Sequence, residues 1–343
     1  MNNPFKGQII EFHILQSFPV SCLNRDDVGS PKSAVVGGVE RARVSSQCWK
    51  SAVRLAMQDY DIKLGIRSRK LTEYVAKACV KLGATDEQSK ACGDAIAESF
   101  SKDTIFFFSD NEANEFALYA SNLGFDATLI KDKEIHKVSK KVLNPAVDGL
   151  DIALFGRMVA QAPELNVEAA SSFNHALSTH KIRSELDFFT ALDDLQETQG
   201  AGHLGTTEYN SATYYRYVSL NLGQLYQALD GEGLSEAIDA FTKALFVAVP
   251  SARQTTMAAY CPWNFAKVLV RKGQRIQVPF ETAVKSKDGG FLEPSIEVLK
   301  SELTKVETMY GSLYGRIAEY TIGEDAAFNI DSLLTALKSH TEV

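Results

Sequence analysis

Two strand-forming runs lie far apart in this chain of 343 residues, and a charged helical stretch separates them. "QIIEFHILQSF" (8–18) and "ATYYRYVSLNL" (212–222) are dense in β-branched and aromatic residues, the composition of β-strands. From about 60 to 148 the apolar spacing becomes helical, as in "SRKLTEYVAKACVKLG" and "DEQSKACGDAIAESF". Strands and helices that interleave around a long interruption predict an α+β fold: one sheet-and-helix core carrying a helical insertion.

Further elements follow the same rules. "GLDIALFGRMVAQ" (149–161) and "SSFNHALSTHKIR" (171–183) have strand character. "QTTMAAYCPWNFAKVLVRKG" (254–273) offers two short strands, and 316–322 one more. "EGLSEAIDAFTKALFVA" (232–248) is an amphipathic helix, and "FLEPSIEVLKSELTKVETMYG" (291–311) is a helix entered through Pro294. The segment 184–211 is too polar and glycine-rich for a core.

Charge is distributed unevenly. The net charge is −7, yet residues 1–54 hold 7 basic and 4 acidic side chains, whereas 151–213 hold 3 and 9. Within the first segment, "RARVSSQCWKSAVR" (41–54) has four cations and no acid. Strand alternation sends Arg41, Arg43 and Ser45 to one face. Ser45 or Ser46 can cap the helix that follows, and on it Gln47, Lys50 and Arg54 share one side. No acidic residue stands at the spacing that would neutralise this stripe within its own helix. A polyanion would therefore meet a local track, not a basic domain.

Several chemistries find no support. "GAGHLG" (200–205) matches G-x-G-x-x-G, but a strand-like segment follows it where a dinucleotide site needs a helix. No phosphate-binding G-x-x-x-x-G-K-[ST] loop occurs. The five cysteines form no C-x-x-C pair, which argues against a disulfide framework or a thiolate zinc site. His175 and His180 are spaced for different faces of a helix or a strand. No apolar run approaches the roughly 20 residues of a membrane span, and the first residues lack a secretory pattern, so a cytoplasmic protein is expected. "NRDD" (24–27) sets two carboxylates beside Arg25, a pattern that caps turns more often than it performs acid–base or metal chemistry.

In chain order, "SCLNRDD", "GG…RARVSSQCWKSAVR", "DIALFGRM", "DDLQE…HLGTTEY", "YYRY" and "KDGGFLEPSI" resemble the CasC-type backbone subunits of the type I-E CRISPR surveillance complex, Cascade. The resemblance covers nearly the whole chain and is least in 60–145. It implies an RRM-like (ferredoxin-like) palm built from 1–60 and 213–343, a mostly helical fingers insertion at 61–181, and a β-hairpin thumb at 182–212. It also implies a non-enzymatic role in antiviral defence. Several copies stack along one CRISPR RNA, and each thumb kinks the RNA held by its neighbour, leaving bases free to pair with a target DNA strand. The implied partners are the CRISPR RNA, target DNA through that guide, further copies of the chain and other Cascade subunits, with no cofactor, metal or membrane.

Matched motif by motif, the resemblance implies RNA contacts at Arg25, Lys32, Ser45, Gln47, Lys50 and Arg54. It puts Met158 beside a displaced base and Thr190 at the kink. Arg41 and Arg43 on the strand extend the track, and His203 joins it from the thumb. A rival remains in Asp26 and Asp27, because backbone subunits of type III complexes cleave bound RNA with an aspartate in the corresponding loop.

Overall fold

The computed structural model describes residues 3–60, 62–100, 105–192 and 201–342. An antiparallel sheet organises the chain. Its strands are β1 (Gln8–Ser21), β2 (Ser33–Val36), β3 (Val39–Val44), β6 (Ser171–Phe173), β7 (Ala176–Ser178), β8 (Glu185–Leu192), β9 (Ala201–Asn221), β10 (Phe265–Lys272) and β11 (Arg316–Ile322). A separate two-stranded sheet pairs β4 (Ile66–Ser68) with β5 (Phe106–Phe108). The main order is β11-β10-β1-β9-β7-β3-β2, with β6 and β8 also pairing with β9. No helix among the described residues is long and apolar enough to cross a membrane.

β1 is buried on both faces from Ile9 to Gln16, its polar Glu11, His13 and Gln16 included. Ile10, Phe12 and Ile14 point into the larger core, where Val53 and Met57 meet Ile238, Phe241 and Leu245 of the helix Leu234–Val247. The opposite face carries Leu15, Tyr215, Tyr217 and Leu269. It is closed by Ile276, Val278 and Phe280 and by Leu299 and Leu303 of the helix Leu292–Tyr310.

Polar groups inside that second layer pair with one another, the His13 Nε2 excepted. Glu11 accepts from the Tyr217 hydroxyl at 2.5 Å, from the Ile276 N–H at 2.7 Å and from the Arg271 Nε. His13 Nδ1 lies 2.9 Å from the Tyr215 hydroxyl, and burial, with Arg271 nearby, pushes its pKa down to about 3. A buried neutral imidazole results.

The insertion has its own core. Helices α1 (Ser46–Ala56), α2 (Leu71–Lys81), α3 (Asp86–Glu98), α4 (Asp110–Asn122) and α5 (Asp132–Val142) follow one another in the chain. The last four gather Val75, Cys79, Ile96, Phe116 and Ile135 around Phe108, and Val159 and Leu165 complete the cluster. Capping boxes start α3 at Thr85/Gln88 and α4 at Ser109/Glu112. The strands at 171–178 hydrogen-bond to β3 and β9, so they belong to the main sheet and not to an insertion running to 181.

Two sequence expectations are corrected. The apolar run at 149–161 is not a strand: it forms the helix Leu150–Phe155, with residues 150–154 all buried. A run enclosed on every side carries no period by which strand and helix differ. Within 254–273 there is one strand, β10, preceded by a single helical turn at Gln254–Met257.

β9 serves two structures. Its C-terminal half lies in the sheet, with Tyr217 opposite His13 and Leu220 opposite Ile10. Its N-terminal half pairs only with β8, from Glu185↔Tyr209 to Leu192↔Ala201. Residues 183–190 are exposed, Leu186 and Phe188 among them, so this hairpin projects from the core. Residues 193–200 of the expected thumb lie outside the described residues.

Candidate nucleic-acid interface

Helix α1 is fixed from below and capped at its start. Trp49 and Val53 are buried, and the Arg216 guanidinium sits 3.5 Å from the centre of the Trp49 ring. Arg216 is itself enclosed and donates to Gln16 Oε1 at 2.5 Å. The Ser45 hydroxyl accepts from the Cys48 N–H at 3.2 Å, so this candidate contact acts as the N-cap of α1. With its apolar side committed, the helix presents Gln47 and Lys50 outward.

Lys50 is half-buried, with its ammonium 5.9 Å from the Phe173 ring centre, and burial lowers its pKa. It has no carboxylate partner among the described residues. Arg54 differs. Its Nε donates to Asp151 at 2.6 Å, its NH2 to the Gly65 carbonyl at 2.6 Å, and its guanidinium lies 5.2 Å from the Phe107 ring centre. The stripe therefore does have an acidic partner, supplied from a distant part of the chain. Arg54 is a joint between α1 and the insertion, with its side chain 20% exposed at the cleft wall.

Arg41 is corrected. It is 1% exposed, and its guanidinium donates to the carbonyls of Ser178 at 2.8 Å, Phe280 at 3.1 Å and Glu281 at 3.2 Å. It braces β3 against the segment that covers the sheet. Arg43 stays near the surface, with Nε 3.3 Å from the Ser33 carbonyl and NH1 3.4 Å from His175 Nδ1. Burial, Arg43 and Lys32 together lower the His175 pKa, so Lys32, Arg43 and His175 form one positively biased edge.

Beside α1 a cleft of about 520 Å³ opens towards the insertion, lined by Gln47, Lys50, Arg54, Arg67, Phe107 and Met158 among others. Met158 is 83% exposed at its mouth. The residue before it is anchored: Arg157 donates to both oxygens of Glu112, at 2.9 and 3.1 Å, and to the Leu165 carbonyl at 3.1 Å. Glu112 also accepts the Ser109 N–H at the start of α4. A buried ion pair thus anchors the residue next to the exposed Met158.

The remaining candidates lie apart from this cleft. Arg25 is exposed in the loop after β1. Asp26 Oδ1 accepts from the N–H groups of Val28 at 3.0 Å and Ser30 at 2.9 Å, which makes it a turn-forming residue. Asp27 is exposed, and no three His, Cys, Asp or Glu residues gather as a metal site among the described residues. Thr190 is exposed on β8 opposite Leu204. His203 stands opposite Ala191 in the backbone register, and its side chain lies outside the described residues.

Sequence reasoning missed Phe173, His175, Arg67 and Phe107. They are supplied by β4, β5, β6 and the β6–β7 connection, and only the fold brings Arg67, Phe107 and Phe173 to α1 and His175 to Arg43. With the site described, the comparison with protein families is decisive, for the match runs over residues 10–336. The chain belongs to the CT1975-like protein family.

Two solved structures extend the likeness. A chain described as "CRISPR RNA-guided surveillance complex, pre-nicking" superposes with a TM-score of 0.84 at 25% identity, covering 97% of this chain and 100% of that one. A chain of a second "CRISPR RNA-guided surveillance complex" gives 0.74 at 22% identity, covering 97% and 99%. The mixed α/β fold with its antiparallel sheet is therefore the fold of subunits of such complexes. Comparison with curated protein sequences gives no match.

Proposed function

We propose that this chain is the CRISPR RNA-binding backbone subunit of a type I-E Cascade, stacking in several copies along a guide RNA and presenting it to target DNA. The observation that carries this reading is the end-to-end likeness to the 25%-identical chain of an RNA-guided complex. The site supports it. Lys50, Arg43, Lys32 and Arg25 remain available to phosphate once Arg41 and Arg54 are assigned to the scaffold. Such contacts position RNA without reading its sequence, and base pairing supplies the specificity.

The strand order also supports an RRM-like palm. β10-β1-β9-β7, with α1 and the helix Leu234–Val247 both packed into the core on one face, is the split βαβ arrangement. Tyr215 and Tyr217 are buried under Val278 and Phe280, so bases have no access to the aromatic positions of this sheet. RNA is better served by the edge at β3 and α1. The turn role of Asp26 favours a subunit that holds RNA without cutting it. Co-expression with a CRISPR array and the other complex subunits tests the proposal: the purified assembly should contain guide-length RNA and several copies of this chain. Recovery of an RNA-free monomer from that co-expression would refute it.

A further inference from the structure

The segment after the helix Leu234–Val247 holds an arginine with no ion-pair partner among the described residues. Arg253 is half-buried, with φ of +57°, and Ala258 has φ of +51°, so two non-glycine residues in the left-handed region bracket the turn Gln254–Met257. Such backbone persists only where its surroundings impose it. Here Val249 and Ala259 pack with Phe18, Leu23, Ile182 and Ala212 at the root of the projecting hairpin. The Arg253 Nε is buried with no hydrogen-bond partner, and among the described residues its guanidinium forms no ion pair.

Arg253 is not isolated from the candidate track. Burial pushes the Cys22 thiol up, Arg253 and Arg25 both oppose that rise, and Arg253 follows directly on Ser251 and Ala252, which line one groove with Arg25. The acids that also bear on Cys22 are Asp26 and Glu208. Asp26 is occupied by the Val28 and Ser30 N–H groups, and Glu208 accepts from Ser184 Oγ at 3.2 Å. Neither arginine has an acidic partner among the described residues. A groove of about 1020 Å³ runs between the Arg25 loop, α1 and Ser251–Ala252. Ser51 lines both this groove and the cleft at Lys50, which makes the two depressions neighbours across α1.

We infer that Arg253 is a phosphate-binding residue, held by the strained 250–258 segment so that with Arg25 it grips the RNA backbone at the root of the hairpin. An unsatisfied planar guanidinium suits a phosphodiester, which offers two acceptor oxygens in its own plane. The inference rests on the RNA-binding reading above and adds to it a contact from a different part of the chain.

The test is titration of a labelled single-stranded RNA with the full chain over a series of salt concentrations. Each phosphate contact contributes about −0.7 to the slope of log K against log salt for a single strand. Arg253→Gln should make the slope shallower by about that amount, and Arg253→Lys should restore it, since the slope counts cations more than geometry. Circular dichroism and thermal melts of both variants establish that each is folded. A folded Arg253→Gln with the wild-type slope overturns the inference and leaves the RNA reading standing. A folded Arg253→Lys that retains the Gln slope also overturns it. Failure of the wild-type chain to bind RNA at all removes both.

Discussion

Arg54 and Asp151 stand 97 residues apart and meet at 2.6 Å, joining α1 to the helix Leu150–Phe155. Asp151 is fully buried, and its second oxygen accepts the Gly65 N–H at 2.8 Å. Burial raises its pKa, and the Gly65 N–H and Arg54 oppose that rise. The sheet core and the insertion are therefore linked by a charge pair at the wall of the Lys50 cleft.

Removing one member of this pair should unsettle the fold more than the RNA contact. Asp151→Ala leaves the Arg54 cation without its partner, and losing one side of a buried pair costs about 3 kcal/mol. Urea denaturation should show that loss, and Arg54→Ala should lose stability as well. If Arg54→Ala weakens RNA binding while its denaturation midpoint is unchanged, Arg54 is a direct RNA ligand and the scaffold role is wrong.

Lys50 gives the opposite pattern. It has no acidic partner among the described residues, so Lys50→Ala should change stability by less than about 1 kcal/mol. RNA binding should weaken and the salt slope should become shallower by about 0.7. Filter binding at several salt concentrations reads both quantities, and an unchanged slope would place the track elsewhere.

These contrasting roles mark where the sequence stopped being informative. β1 was legible from its density of β-branched and aromatic residues, and the helix Leu292–Tyr310 from Pro294 at its entry and from Ser295, Leu299 and Leu303 buried four apart. Alternation also assigned Arg41 and Arg43 to one side of β3, but it says nothing of depth. Whether an arginine on that side meets solvent depends on Phe280 and Glu281, which arrive from 239 and 240 residues away. The acidic partner of Arg54 was missed for the same reason: a helix-local search finds partners three or four residues away and misses one supplied by another element. Lys50 and Met158 were each named by motif and line one cleft, while Arg67 and Phe107 lie in the segment where the resemblance is least.

Stability should depend on pH through His13. Its folded pKa of about 3 lies below the unfolded value near 6.5, so between these values the unfolded chain binds a proton that the folded chain does not. Stability then falls as pH drops from about 6.5 towards 3, by at most about 5 kcal/mol from this one group. Urea midpoints at pH 7.0, 5.5 and 4.5, chosen to span this window, should decline. His13→Gln should flatten the decline; a parallel decline in the variant would assign it to the carboxylates instead.

Target-strand RNA paired to the guide should survive incubation with the assembled complex and magnesium or manganese. Asp26 is engaged by two backbone N–H groups, and the described residues hold no three-ligand metal cluster around Asp27. Cuts at regular spacing that vanish in Asp26→Ala or Asp27→Ala would convert the subunit into a ribonuclease of the type III kind.

The hairpin of β8 and β9 should be the first part of the isolated chain to be cleaved. Leu186 is 59% and Phe188 67% exposed, large apolar side chains on a two-stranded excursion that is marginal by itself in water. Gly205 stands opposite Phe189, and a Cβ there would fall 2.4 Å from the aromatic ring, so the ring occupies space that only glycine leaves open. This packing joins the two strands of the hairpin to each other. Chymotrypsin, which cuts after Phe and Leu, should therefore attack 186–189 in the isolated chain. If neighbouring copies and RNA cover the same surface in the assembly, those sites should become resistant while exposed sites elsewhere, such as Leu313, keep their rates. Equal cutting of 186–189 in both states would show that the hairpin finds no partner in the complex, and its role as a thumb would be lost.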